Sequence, residues 1–289
     1  MGLKHIFRFS KVVGLGVGLG VLAVVGLNTF TSSAKGEQAP ITVVKARTAA
    51  PAPQASPTPI TVAAQPQPLT LAQVSSQMGV DVSVAANTDT NNSTWTVITP
   101  ADTDLQKFLP MLTSEWSKYP SGFAAKVKLN HIYLVKDLAV SGQARAAMPD
   151  PRTTDALYYD VDSGYVTSQD GNYMRRVIHH EFDHYFEYTL YGSFYRTDAV
   201  WGACNPTTFS YGNGGASAYS DPEFANTVHP DSGFVTGYAE SGPEEDRAEL
   251  FAWRMTNPAE VNTWAKTDAD LQCKITAYQP TLAALGLTL

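Results

Sequence analysis

From Tyr173 to Tyr191 the chain runs without a glycine or a proline, and Gly192 follows at once. A run of that length bounded by glycine predicts a helix that stops at Gly192, with the turn Asp170-Gly171-Asn172 supplying a candidate cap at its start. Within it Val177, Glu181, His184, Tyr188 and Tyr191 recur at spacings of four, three, four and three, which is one stripe of a helix and is read here as its core-facing side. Such a stripe carries ionisable groups in its middle. Burying them without partners is costly, so they must pair with other groups or bind something.

His180 and His184 are four positions apart, so on a helix their rings leave the same face about one turn from each other and can converge on one cation. Glu181 stands one step round the helix, able to reach a metal-bound water without being a ligand itself. His180-Glu181-Phe182-Asp183-His184 is thus an HExxH pattern. With 6 histidines in 289 residues, its accidental occurrence is on the order of one in a hundred, and fewer accidents still would fall inside an uninterrupted helix. The bland alternative is a polar helix face with satisfied histidines.

A metal site that does chemistry needs a third protein ligand and one open position. His229 lies in a loop of proline, aspartate and serine with no ligand spacing, so carboxylates are better candidates. Ser241-Gly242-Pro243-Glu244 reads as a helix start with Ser241 as its cap, and the helix should continue through Arg247, Leu250 and Trp253 to Asn257-Pro258. Glu245 and Glu249 share a face of it. One can bind metal while the other orients a ligand histidine; on spacing alone, two ordinary surface acids fit equally well.

The stretch from Tyr238 to Phe251, with Tyr238, Glu245, Ala248 and Glu249 in register, resembles the second active-site segment of gluzincin zinc metallopeptidases. It is similar to the lethal-factor-like catalytic domain and to bacterial zinc-binding metallopeptidases. The resemblance implies that Glu245 is the third zinc ligand, that Glu249 supports a ligand from behind, and that Tyr238 donates its hydroxyl to a developing oxyanion. It further implies an α+β, zincin-like domain: a small mixed sheet with the active-site helix, followed by a mainly helical C-terminal subdomain. Zn²⁺ is the implied cofactor, a peptide or protein the substrate, and hydrolysis by a metal-activated water with Glu181 as general base the reaction. By the same analogy, the strand ending near Val161 is expected to be the edge along which a peptide lies. Asp246 and Arg247 stand where the lethal-factor-like pattern has aromatic residues. Glu245 follows His184 by 61 positions, and the intervening segment holds a glycine-rich stretch around Tyr211 to Ser220, expected to shape substrate choice.

Two other functions fit the same residues: a zinc amidase acting on cell-wall material, or a surface binding protein with a structural zinc. The latter would be expected to supply four protein ligands, and three can be named.

The rest of the chain fills in the setting. Lys4, Arg8 and Lys11 precede an apolar run from Val12 to Leu27, and Ser32-Ser33-Ala34 offers small residues for cleavage. Residues 1–34 are therefore expected to be a signal peptide, or failing cleavage an anchor, giving a secreted or cell-surface protein with membrane or cell-wall association through this segment. Residues 35–70, rich in alanine, proline and glutamine, are expected to be a disordered linker, and 71–289 the folded domain, a monomer. A net charge of −7 with no basic cluster outside the leader argues against nucleic acid as a partner. Strands are expected over Thr94 to Thr99, Val127 to Val135 with His131 as a structural histidine, and Ala156 to Val161, with a polar loop around Met148 to Pro151. A helix capped by Asp102 or Thr103 should carry Leu105, Phe108, Leu109, Leu112 and Trp116 on one face and end near Pro120. Cys204 and Cys273, the only cysteines, form either a disulfide or two buried thiols.

Overall fold

The computed structural model describes residues 68–85, 95–162, 172–218 and 228–289. The leader, nearly all of the linker, and the turn residues Asp170 and Gly171 lie outside them. Among the described residues no helix is long and apolar enough to cross a membrane.

The chain is a mixed α+β protein. Thr70 caps the first helix, α1 (Leu71–Met78), through a reciprocal pair of bonds with Gln73, and Gly79 ends it in the left-handed conformation. Strands β1 (Asp81–Val84) and β2 (Trp95–Ile98) precede α2 (Asp102–Trp116) and the short α3 (Phe123–Lys126). Then come β3 (His131–Val140), β4 (Gln143–Ala144), β5 (Ala147–Pro149), β6 (Ala156–Asp160) and α4 (Tyr173–Tyr191). Downstream lie α5 (Ala199–Gly202), α6 (Gly215–Ala218), a 3-10 turn (Tyr238–Ser241), α7 (Pro243–Thr256), α8 (Pro258–Trp264) and α9 (Ala269–Leu285).

β3 organises the sheet. Its first half runs parallel to both β1 and β6, and its second half pairs antiparallel with β2 and β4. The change of partners coincides with Asp137 at φ +53° and a register irregularity opposite Thr96 to Ile98, a bulge that re-aims the strand. β5 closes the other side of the sheet, antiparallel to β6. α2 and α4 pack against the sheet and each other: Phe108 meets Tyr159 of β6, Trp116 meets Phe182, and Tyr159 donates its hydroxyl to the carbonyl of Ile178 at 3.1 Å.

Several boundaries differ from those expected. β3 starts at His131, because Phe123–Lys126 forms a helical turn first and Lys128 follows at φ +60°. The helix α2 has Ala101 at its cap position with no side-chain bond and stops at Trp116; Asp102 and Asp104 act instead as first-turn acids. Residues Met148 and Pro149, expected in a loop, belong to strand β5. Consequently β6 is an inner strand between β3 and β5, and among the described residues β5 is the edge.

Cys204 and Cys273 are bridged, with Cα atoms 5.5 Å apart, tying the end of α5 to α9. Closing 69 positions of chain contributes about 4 kcal/mol in the chain-entropy treatment.

Candidate metal centre

The helix α4 is as long as its glycine-free run, ending on Gly192 at φ +76°; Asn172 takes the cap position without a side-chain bond. Its core face differs from the one expected. Met174, Ile178, Phe182 and Tyr185 are buried in the core, whereas Glu181, His184 and Tyr188 are half-buried and Tyr191 is exposed. The ionisable stripe therefore looks onto a cleft, where water and ligands offset the cost that a core position would impose.

α7 packs along α4 and brings Glu245 to the two histidines. Glu245 Oε2 lies 3.0 Å from His180 Nε2 and 3.3 Å from His184 Nε2, and the two nitrogens are 3.1 Å apart. Three ligand atoms thus form a triangle with sides near 3 Å. Protons cannot satisfy all three sides at once, since two N–H groups aimed at the carboxylate oppose each other along the third, whereas one cation in the middle satisfies every donor. His180, His184 and Glu245 are accordingly a group that could hold a metal ion. The electrostatics agree. Burial disfavours the charged form of His180, yet Glu245 and Glu249 outweigh it and raise the ring well above the usual histidine range. His184 is raised in the same way by Glu245. Burial pushes the Glu245 carboxyl up, but the two histidines more than offset this and hold it well below the usual carboxylate range.

Glu249 sits one helical turn beyond Glu245. Its Oε1 is 2.8 Å from His180 Nδ1, an ion-pair distance without hydrogen-bond alignment, and its Oε2 accepts a 2.8 Å bond from Thr236 Oγ1. The face shared by Glu245 and Glu249 is thus aimed at His180 from both sides of its ring. Ser241, expected to cap α7, does not: Gly242 occupies the cap position and the Ser241 hydroxyl has no side-chain partner. Pro243 in the first turn and the acids Glu244, Glu245 and Asp246 start the helix instead.

Asp246 and Arg247 form buried ion pairs. Asp246 lies 2.7 Å from Lys274 of α9 and accepts bonds from Trp201 Nε1 (2.9 Å) and Tyr211 (2.6 Å). Arg247 donates through Nε to both oxygens of Glu187 on α4. Both of these charges have partners, which offsets the cost of burying them in α7.

In front of the triangle lies a cavity of about 490 Å³ lined by Glu181, Tyr238, Arg145, Met148, Phe194 and Tyr195 among others. Burial raises the Glu181 carboxyl, and the nearby His180 and His184 only partly counter it. The Tyr238 ring stands 5.9 Å from that of His180. The residues singled out in the sequence are therefore brought together: His180, Glu181, His184, Tyr238 and Glu245 line one cleft, with Glu249 behind. His229 is elsewhere, stacked on Trp264 at 4.8 Å, and His131 pairs with Asp81.

A second histidine network behind α4 was not foreseen. His179 is fully buried, with Nδ1 2.6 Å from the Tyr119 hydroxyl and Nε2 2.9 Å from Glu115 Oε2. Glu115 also pairs with Lys118 and Arg175. Its sequence signal is a second histidine beside the motif, which on a helix must point about 100° away from His180.

Comparison with protein-family models, curated proteins and solved structures gives no match for this chain.

Proposed function

We propose that this protein is an exported zinc metallopeptidase with a zincin-like catalytic domain. The observation that carries this reading is the His180, His184 and Glu245 triangle facing a cleft. Ligand atoms about 2.0–2.1 Å from a tetrahedral zinc lie ~3.3 Å from one another, close to the 3.0, 3.1 and 3.3 Å sides seen. Two imidazoles and a carboxylate are a donor set that suits zinc, and three protein ligands rather than four leave a position for chemistry.

Zinc bound there would supply Lewis acidity, polarising a peptide carbonyl and acidifying a water molecule. Glu181, one residue from the first ligand and raised by burial, takes the proton from the attacking water and passes it to the leaving amine. The Tyr238 hydroxyl, on the Glu245 side of the cleft, donates to the oxygen on which charge develops. Glu249, with its carboxylate 2.8 Å from His180 Nδ1, places a negative charge behind the ring and so favours Nε2 turned to the metal.

The edge strand supports a peptide as substrate. Asp160 N–H donates to the Ala146 carbonyl and Asp150 N–H to that of Ala156, so alternation turns the backbone of Ala147 and Pro149 away from β6. Both residues line the cleft, where an extended chain can add as a further strand. Pro149 has no N–H, so this edge offers one donor, from Ala147, and two carbonyls.

Digestion of a peptide library by zinc-loaded protein tests the reading. Wild type should cleave, and Glu181→Gln, with zinc still bound, should lose about 100-fold or more of the rate. Full activity in the zinc-loaded Glu181→Gln protein would contradict the assignment.

A further inference from the structure

Gly215 opens α6 and stands directly against the metal-site side chains. A Cβ placed on it would lie 2.1 Å from Glu245 Oε1, 2.3 Å from the Tyr238 hydroxyl and 2.8 Å from Glu245 Cδ. Side-chain carbons do not approach other atoms that closely, so any residue but glycine displaces one of these groups. Backbone freedom is not the reason, because Gly215 lies outside the left-handed region, whereas its neighbour Gly214 has φ +87°.

The strand of backbone bearing these glycines is pinned. Gly212 N–H donates to the Glu240 carbonyl at 3.0 Å and Gly214 N–H to the Ser241 carbonyl at 2.7 Å. Both acceptors belong to the 3-10 turn that begins at Tyr238 and leads into α7. The same short turn therefore carries the tyrosine, precedes the glutamate, and anchors the backbone just before Gly215, the glycine that stands against both. Glu245 has little room to give on its other side, since its Oε2 faces His180 and His184.

The two oxygens of Glu245 are thus distinguished by their neighbours. We propose that the Gly215 backbone is a positioning element for the metal site: it covers Oε1, leaves Oε2 alone to ligate, and holds the Tyr238 hydroxyl beside it. This rests on the metal reading above. Gly215 acts through Glu245 and Tyr238 and touches no reacting atom. A one-oxygen carboxylate keeps the protein's contribution at three ligand atoms, which leaves a four-coordinate metal its open position.

The test is a chelator-competition titration of Zn²⁺, with the visible spectrum of the Co²⁺-loaded protein alongside, on the full chain. Gly215→Ala should weaken zinc binding roughly 10–100-fold, as loss of ligand orientation does elsewhere, and should change the cobalt spectrum. Gly202→Ala, where a Cβ meets nothing within 4 Å, should match wild type in both. Wild-type affinity and an unchanged cobalt spectrum in Gly215→Ala would overturn the proposal. Failure of wild type itself to bind zinc would instead overturn the metal reading beneath it. Should Gly215→Ala not fold, a zinc-loaded wild-type crystal structure decides: Oε2 alone on the metal supports the proposal, and both oxygens on it refute it.

Discussion

Arg247 Nε lies 2.9 and 2.8 Å from the two carboxylate oxygens of Glu187, with the arginine side chain wholly buried between α4 and α7. Glu187 follows His184 by three residues and Arg247 follows Glu245 by two, so this pair joins the helices that carry the candidate ligands close to the triangle itself. Removing one partner strands a buried charge, at a cost of about 3–5 kcal/mol. Arg247→Met should therefore lower stability by that order and weaken zinc binding as α7 shifts against α4. Because Arg196 still reaches Glu187 at 3.1 Å, the loss should fall toward the lower end. Urea denaturation and zinc titration measure the two effects, and the double variant with Glu187→Gln should recover part of the stability.

Glu249 stands 2.8 Å from His180 Nδ1 and is held by Thr236, and in the proposed site it orients the histidine. Glu249→Gln keeps the shape and removes the charge beside His180 Nδ1, so zinc affinity should fall roughly 10–100-fold while the fold stays intact. Thr236→Val, which leaves Glu249 charged but loosely held, should have a smaller effect in the same direction. Equal affinity in all three proteins would show that Glu249 does not serve the site.

Acid sensitivity should come in part from Glu115. Burial pushes this carboxyl up, but His179, Lys118 and Arg175 outweigh it and bring it down to about 2 from an ordinary 4.5. A depressed carboxylate stabilises the folded state above its unfolded pKa, and that stability is lost as pH falls through the folded one. The window runs from about pH 5 to 2, and the group contributes on the order of 3 kcal/mol across it. Glu115→Gln should be less stable at pH 7, and its stability should fall less than that of wild type between pH 5 and pH 3 in urea denaturation.

Local signals account well for what the sequence revealed. The helices α4 and α7 were legible because glycine and proline mark their ends and because His180, His184, Glu245 and Glu249 recur at helical spacing. The cleft-facing role of Glu181 and His184 was not, since periodicity identifies a face without saying what covers it. α1 carried a readable signature in Thr70, Gln73 and Gly79. Its polar body, with only Val74 and Met78 buried, hid it. β5 was missed because Pro149 marks a loop and an edge strand alike. The pairing of Asp246 with Lys274, and the approach of Gly215 to Glu245, depend on contacts between distant segments and leave no local trace.

Zinc stoichiometry after exhaustive dialysis bears most directly on the site. Wild-type protein should retain about one zinc per chain, and His180→Ala, His184→Ala and Glu245→Ala should each lose it while remaining folded. Stoichiometric zinc in His184→Ala or Glu245→Ala, or none in wild type after loading, would contradict the assignment.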